Sequence, residues 1–289
     1  MVMWWVYALG GALFLAVYSL IEKKILLKEH AAQFSAISAL ITFVFTLVFV
    51  PLIKLNFSFS LWLLMIAGGV LGASGFLFFA KAVRHMEISV ASALRGMVPV
   101  FVLLFSVMIL GESISGINGI GMVMIVIGVY VLESKKHHLF NPFRDISHSK
   151  PLLYLFVALL AWGLSANISR LILRGGDVNI YTLLFFKQLF VTIVLIAINV
   201  FAYQGFKDIK IAWGDSKDWL IILGAVGIVN GLLYYQAMSM AHAPLVSSIE
   251  RLSVLGVILL GREYFHEKNI LRKLVSAVIM ICGALLVVI

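Results

Sequence analysis

Ten long apolar stretches constrain the fold of this chain more than any other feature of its sequence. They are rich in Leu, Ala and Gly and lack the strict alternation of transmembrane strands, so we predict helices. A helix needs about 20 mostly apolar residues to cross a bilayer core of about 30 Å. The predicted spans are 4–21, 32–53, 60–80, 89–110, 115–132, 152–169, 180–202, 219–239, 244–260 and 270–288.

The composition agrees with a chain surrounded by lipid. Charged residues make up 12% of the 289 residues and hydrophobic residues 63%, whereas soluble domains carry about 25% charged residues. We therefore predict an all-α integral membrane protein, in the cytoplasmic membrane of a prokaryote. The apolar start lacks the basic region and cleavage site of a secretory signal, so we interpret it as the first permanent span. The single cysteine, Cys282, excludes an intramolecular disulfide.

An internal duplication divides the chain into two halves of five spans. The polar stretch 134–150 separates residues 1–133 from residues 151–289. One register that places Gly72 on Gly227 also aligns like residues in the later spans of each half, and a second register aligns basic residues near the start. The further matched pairs are Gly69 with Gly224, Ala82 with Ala237, Ser92 with Ser247, Glu112 with Glu267, Gly128 with Gly283, and Lys23 with Arg170.

An odd number of spans in each half predicts inverted repeats, because two consecutive halves of five must cross the membrane in opposite directions. Substrate sites of such proteins lie between the repeats, near the bilayer midplane. Sixteen Lys and Arg residues fall in loops after odd-numbered spans, against Lys54, Arg170 and Arg174 after even-numbered spans. The positive-inside rule then places the odd loops in the cytoplasm and both termini outside. The net charge of +9 is explained by these loops, and we expect no nucleic-acid partner.

Short motifs recur near the ends of both halves. Leu110-Gly111-Glu112-Ser113 precedes a glycine-containing helix with Gly128, and Phe265-His266-Glu267-Lys268 precedes Gly283. These motifs resemble the EamA domain of the drug/metabolite transporter superfamily. Trp162-Gly163 resembles the start of an EamA repeat, although Leu15-Ala16 stands at the matching place in the first half. The resemblance implies a ten-helix transporter of amino acids, other metabolites, drugs or nucleotide sugars. It also implies cytoplasmic termini, opposite to the charge count.

Ionisable residues deep inside membrane spans are candidates for functional sites, because burying a charge in a membrane is costly. Arg95 lies in span four, and the repeat register places it on Glu250, beside Arg251 in span nine. We predict that Arg95 or Arg251 binds a carboxylate or phosphate of the substrate, since a guanidinium pairs with either anion through two hydrogen bonds. Glu250 would be the counter-ion or a protonatable coupling group. The alternative is a buried ion pair without substrate contact.

Other polar and aromatic residues in the spans complete the predicted cavity. For each of them the alternative is a helix-to-helix hydrogen bond or a position at the membrane interface. Glu112 and Glu267 are expected to cap or hinge the following helix, and Gly72 and Gly227 to permit close packing or sliding. The predicted cavity residues are Lys187, Asn230, Tyr234, Gln236, Trp162, Asn167 and Tyr18.

Enzyme signatures in the sequence are weak. Gly72-Ala73-Ser74-Gly75 matches the Gly-x-Ser-Gly of intramembrane serine proteases, but His85 and His242 lie near span ends. His137, His138 and His148 sit in a polar loop without a second cluster of metal ligands. The sequence has no phosphate-binding Gly-x-x-x-x-Gly-Lys motif. We therefore expect no metal, no cofactor and no direct use of ATP.

We predict a secondary active transporter, with export as the expected direction and an amino acid or related small metabolite as the substrate. Its other partners are membrane lipid and a coupling ion, for which a proton is the candidate; the oligomeric state, a monomer included, stays open. One alternative is a flippase for lipids or lipid-linked sugars, which needs a lateral opening. An intramembrane enzyme would need a buried Ser–His or carboxylate–metal cluster, and a membrane scaffold would have a packed centre without a polar cavity.

Overall fold

The computed structural model describes residues 3–111, 115–133, 149–202, 206–266 and 269–286. Those residues contain helices and turns, with no strand among them. The α-helices are α1 (Trp4–Leu26), α2 (Ala31–Thr46), α3 (Phe59–His85), α4 (Ile88–Leu94), α5 (Val98–Leu110), α6 (Gly116–Glu133), α7 (Lys150–Arg174), α8 (Ile180–Ala202), α9 (Phe206–Met240), α10 (Ala243–Glu250), α11 (Ser253–Phe265) and α12 (Ile270–Leu286).

The prediction of an all-α integral membrane protein is confirmed. Eight helical segments of the described chain are long and apolar enough to cross a membrane. Two of them, Ile88–Ile109 and Ala243–Phe265, each combine two consecutive helices. The fifth helix of each half is shorter, with α6 apolar over Gly116–Gly128 and α12 spanning 17 residues. A helix of the structure lies at the position of each of the ten predicted spans.

The first helix of each half packs along the third helix of the other half. Helix α1 packs along α9, and its counterpart α7 packs along α3. Lys23 of α1 donates a hydrogen bond from Nζ to the carbonyl oxygen of Val83 at 2.7 Å, and Arg170 of α7 donates to that of Met238 at 2.8 Å. The register that aligns the glycines also places Val83 on Met238. Each half therefore ties the end of its third span to a cation from its first, where helix carbonyls lack partners.

Helix α1 is longer than predicted, and its continuation includes a lysine that is buried and bonded by protein. The apolar pattern ends at residue 21, but the helix continues to Leu26. Lys23 is buried and also donates to the carbonyl oxygen of Met86 at 2.8 Å. Hydropathy alone cannot distinguish such a residue from one that faces water, so the predicted span ended too early and Glu22 fell outside it.

The fourth and ninth spans are interrupted, although the sequence pattern predicted continuous helices. A 3₁₀ turn, Arg95–Met97, separates α4 from α5, and a turn at residues 251–252 separates α10 from α11. Pro99 contributes to the first interruption, because a proline has no N–H to donate to the carbonyl four residues earlier. The carbonyl oxygen of Arg95 instead accepts hydrogen bonds from the N–H of Val98 and from Arg251 Nη1, the latter at 3.1 Å. The two interruptions thus meet across the boundary between the halves.

The fifth helices of the two halves, α6 and α12, cross at two glycines. A Cβ atom added to Gly283 would lie 2.7 Å from the carbonyl oxygen of Gly121, and one added to Gly128 would collide with Met280. Small residues at such crossings let helix backbones approach closely in a membrane. This pair packs to one side of the polar centre and holds the ends of the two halves together.

Candidate functional site

A cavity of about 270 Å³ lies between the two halves. Helices α1, α2 and α3 of the first half and α7, α8 and α9 of the second contribute to its wall, as do both interrupted spans. The polar lining includes three cations and two carboxylates, and much of the remaining wall is aromatic. The residues with charged or amide side chains are Glu22, Arg95, Lys187, Gln188, Asn230, Glu250 and Arg251.

The structure brings most of the predicted site residues to this cavity. Asn167 and Gln236 are the two that do not line it. Asn167 is fully buried, and its Nδ2 donates to the carbonyl oxygens of Val102 at 2.9 Å and Gly163 at 3.0 Å, as the helix-to-helix alternative expects. Gln236 Nε2 lies 3.9 Å from the sulfur of Met240. Those that line the cavity are Tyr18, Arg95, Trp162, Lys187, Asn230, Tyr234, Glu250 and Arg251.

Glu250 and Arg251 form a buried ion pair within the second half. Arg251 Nη2 lies 2.9 Å from Glu250 Oε2, and Arg251 Nε donates to the carbonyl oxygen of Ser247 at 3.0 Å. Asn230 Nδ2 lies 3.4 Å from the other carboxylate oxygen of Glu250. Together with the bond from Arg251 to the carbonyl of Arg95, these contacts occupy both carboxylate oxygens and most of the guanidinium. Protein groups therefore satisfy most of the hydrogen-bonding capacity of this ion pair.

Arg95 is held by aromatic rings and keeps its hydrogen-bond donors available. Its guanidinium carbon lies 4.1 Å from the ring centroid of Trp162 and 5.0 Å from that of Phe79. Its Nε is buried without a hydrogen-bond partner among the described residues. Cation–π contacts orient a guanidinium without using its N–H groups. The plane of Arg95 is therefore fixed while its donors remain free for an anion.

Lys187 of α8 faces the cavity from the second half. Its Nζ donates to Ser169 Oγ at 2.7 Å and lies 5.4 Å from the ring centroid of Tyr235. One neutral hydroxyl leaves two of the three ammonium donors for another group. The neighbouring Gln188 donates to the carbonyl oxygen of Ala39 at 3.0 Å and links α8 to α2. Lys187 thus adds a second cation that is not neutralised by a direct ion pair in the described structure.

Glu22 lines the cavity but was not among the predicted site residues. Its side chain is 1% exposed, and neither carboxyl oxygen has a hydrogen-bond partner in the described structure. The positive charge of Arg95 acts on it electrostatically. One sequence signal bears on it, because the register that places Lys23 on Arg170 also places Glu22 on Ser169, the last residue of the sixth predicted span.

Gly72 and Gly227 occupy matching positions in the wall of the cavity. A Cβ atom on Gly72 would lie 3.2 Å from Val191 Cγ2, and one on Gly227 would lie 3.2 Å from Tyr18 Cε2. Both glycines therefore sit where neighbouring helices pack tightly beside the polar centre. Glu112 and Glu267, predicted as caps or hinges, lie outside the described residues, as do His137, His138 and His148.

The serine of the protease-like motif makes an ordinary helical contact. Ser74 Oγ donates to the carbonyl oxygen of Val70, one turn earlier in α3, at 2.9 Å. Within the described ranges, no group of three His, Cys, Asp or Glu residues is placed to hold a metal ion. The polar cavity also differs from the packed centre that a membrane scaffold would have.

An all-helical membrane protein with a polar cavity between two inverted repeats has the architecture of a secondary transporter. Comparison with known families agrees with this class. The chain belongs to the EamA-like transporter family, whose model matches residues 2–134 and 149–289. It is therefore a multi-pass membrane protein of a transporter family, and the two matched segments correspond to the two repeats seen in the fold.

Individual relatives are distant. The chain is 25% identical over 193 residues to the pseudopaline exporter CntI of Pseudomonas aeruginosa, in two strains of that bacterium, and the match covers 64% of this chain. This chain spans about 60% of the length of those relatives. A solved crystal structure superimposes with a TM-score of 0.62 at 17% identity, covering 98% of this chain and 97% of the other, which supports the fold alone.

Proposed function

We propose that this protein is a secondary active exporter of an amino acid or a related small metabolite. It works by alternating access of the central cavity, through rocking of the two halves against each other. The observation that carries the proposal is Arg95, which lines a polar cavity at the boundary of the repeats and whose Nε has no hydrogen-bond partner among the described residues. Arg95 is assigned to bind the carboxylate of the substrate.

The charges around the cavity favour an anionic group on the substrate. Glu250 and Arg251 neutralise each other through a direct ion pair. Arg95, Lys187 and Glu22 remain, which leaves an excess of positive charge at the wall. A desolvated cation is stabilised by an anion that supplies paired hydrogen bonds. A carboxylate between Arg95 and Lys187 provides both the negative charge and the paired hydrogen-bond acceptors.

The size and wall of the cavity favour a small solute. Its volume of about 270 Å³ lies just below the usual range of small-molecule sites, about 300–1,000 Å³. Trp162, Tyr18 and Tyr234 supply aromatic surface with polar edges, which suits an apolar or aromatic side chain. Export is supported by the Pseudomonas relatives, which are named as exporters, and ion-gradient energy by the absence of a phosphate-binding motif from the sequence.

The test is solute release from proteoliposomes. The purified full-length chain is reconstituted into liposomes loaded with a mixture of isotope-labelled amino acids, and a pH or sodium gradient is imposed. The external medium is analysed by mass spectrometry. We expect one or a few solutes to appear about tenfold faster than from protein-free liposomes, and the Arg95→Gln variant to remove most of that difference.

Arg174→Gln is the matched control, because Arg174 is an exposed residue at the end of α7. It should release solute at the rate of the unmodified protein. If no solute leaves the proteoliposomes faster than the protein-free vesicles under any gradient, the proposed function is wrong. Release that Arg95→Gln does not slow would leave a transporter but remove Arg95 from its binding site.

A further inference from the structure

The cavity contains two carboxyl groups in opposite situations. Glu250 is paired with Arg251 and approached by Asn230. Glu22 is equally buried, but no described residue donates a hydrogen bond to either of its oxygens. The sequence nominated Glu250 as the protonatable group. The contacts favour Glu22, because of the two carboxyl groups only Glu22 has both oxygens without a hydrogen-bond partner among the described residues.

A carboxylate that is removed from water without a donor is costly, and it is stabilised only by a proton or by a cation. Both oxygens of Glu22 are shielded from solvent in this conformation. The groups that act on it are Arg95, across the cavity wall, and Tyr18, one turn earlier in α1. Arg95 makes no direct ion pair with Glu22 in the described structure, and its guanidinium carbon lies 4.1 Å from the ring centroid of Trp162.

The other charged and titratable groups around α1 have partners elsewhere. Lys23 points to the end of α3 and donates to Val83 and Met86. On α10 and the turn after it, Glu250 and Arg251 bind each other. Lys187, from α8, donates to Ser169. Tyr234 and Tyr235 of α9 complete the titratable lining of the cavity. Among the carboxylates of the described cavity lining, Glu22 is therefore the one without an ion pair, and it is the one that can accept a cation.

We propose that Glu22 is the subsite for the cationic group of the substrate, and that it carries a proton when that group is absent. The inference rests on the proposed function and adds to it the class of substrate, a small solute with both a protonated amine and a carboxylate. When the amine docks on Glu22 and the carboxylate on Arg95, the carboxyl proton leaves to water and the ammonium takes its place. Substrate and proton then exchange at one group.

Matched sets of compounds test this assignment by isothermal titration calorimetry of the purified full-length protein. One set is phenylalanine, phenethylamine and 3-phenylpropanoate; the other is leucine, isoamylamine and 4-methylpentanoate. Each set keeps the side chain and removes one charged group at a time. Titration in two buffers of different ionisation enthalpy reports the number of protons released on binding.

Glu22→Gln is compared with Glu29→Gln. Glu29 is also a buried carboxylate near the end of α1, but it accepts a hydrogen bond from Ser216 Oγ at 3.3 Å and does not line the cavity. In the unmodified protein and in Glu29→Gln we expect an amino acid to bind about tenfold or more tightly than the acid without its amine. Binding should release close to one proton. In Glu22→Gln the preference should fall to about threefold or less, and proton release should cease.

Three results overturn the proposal. The deaminated acid binds as tightly as the amino acid, no compound in either set binds, or Glu22→Gln keeps both the preference and the proton release. The liposome assay separates this failure from failure of the proposed function. A transporter that releases a solute without an amine retains the function and loses the assignment of Glu22.

Discussion

Arg95 shows how a charge can be kept ready inside a membrane protein. Trp162 and Phe79 hold the guanidinium at ring-to-carbon distances of 4.1 and 5.0 Å, and its Nε has no partner among the described residues. Aromatic faces stabilise the charge without consuming its N–H groups. Arg251, which follows the repeat counterpart of Arg95 by one residue, has the opposite environment, because its donors are bound to protein oxygens.

Replacing Trp162 by Leu should therefore weaken substrate binding without direct loss of a polar contact. We expect affinity for a transported amino acid to fall about threefold to thirtyfold, since a desolvated cation–π contact contributes roughly 0.5–2 kcal/mol. Calorimetry on the purified variant provides the measurement. Trp219→Leu is the control, because Trp219 stacks on Lys24 outside the cavity, at 3.7 Å. Unchanged affinity in Trp162→Leu would show that the ring does not position Arg95.

At the residue scale, the sequence identified charged residues inside the spans better than the groups that they contact. Arg95 and Glu250 stand out because an ionisable residue deep in an apolar run is rare. Glu22 did not, because it follows the last apolar residue of its run and resembles the start of a loop. Asn167 was predicted to line the cavity because the polarity of a residue does not show which face of its helix it lies on. Its contact with the carbonyl of Val102 depends on which face of α7 meets α5.

At the scale of the element, each half stabilises its third span with a cation from its first. Lys23 donates to two carbonyl oxygens at the end of α3, and Arg170 donates to one near the end of α9. A charge-assisted hydrogen bond to a buried carbonyl contributes more than a neutral one. The equivalent positions carry different residue types but perform the same structural task.

Lys23→Met and Arg170→Met should both lower the stability of the protein in detergent. We expect a loss of about 1.5–3 kcal/mol for each, because each leaves a carbonyl without its charged donor. The midpoint of thermal unfolding reports this loss. Lys24→Met is the control, since Lys24 is exposed and contacts the ring of Trp219, and it should lose less than either variant. Equal midpoints for all three variants would contradict the structural role of these cations.

The crossing of α6 and α12 allows a second test of element packing. Gly283→Leu should destabilise the protein by about 1–3 kcal/mol, because overpacking forces the helices apart. The backbone of Gly121 leaves no space for even a Cβ atom there. Gly119→Leu, in the same helix pair, is the control, since nothing lies within 4 Å of its added Cβ. Similar unfolding midpoints for the two variants would be incompatible with this contact.

The element boundaries show where hydropathy stops being informative. It located the helices because a bilayer demands long apolar runs. It did not reveal the interruptions at Arg95 and Arg251, because both segments remain apolar on either side. Pro99 is visible in the sequence, but the contact between Arg251 and the carbonyl of Arg95 is not. That contact joins residues from different halves and cannot be read from either one alone.

At the scale of the whole molecule, the orientation in the membrane remains a prediction. The positive-inside rule places the loops after odd-numbered spans in the cytoplasm, whereas the family resemblance implies the reverse. Single cysteines distinguish the two in a Cys282→Ser background. Leu27→Cys marks the first loop and Ser58→Cys the second, and both residues are exposed. Neither substitution changes the charge count.

A membrane-impermeant maleimide applied to intact cells should label Ser58→Cys and leave Leu27→Cys unlabelled until the cells are permeabilised. That pattern would place both termini outside. The reverse pattern would place them in the cytoplasm, and it would show that the Lys and Arg distribution does not determine the orientation of this chain.

The packing of α1 with α9 and of α3 with α7 has a consequence for how the protein can be made. The halves interlock through these helices, through the α6–α12 crossing and through the bond from Arg251 to Arg95. Each half also closes its own helix ends with its own cation. Two separately synthesised polypeptides, one for each half, therefore contain the surfaces needed to assemble as a heterodimer. Covalent continuity mainly guarantees that they are produced in equal numbers.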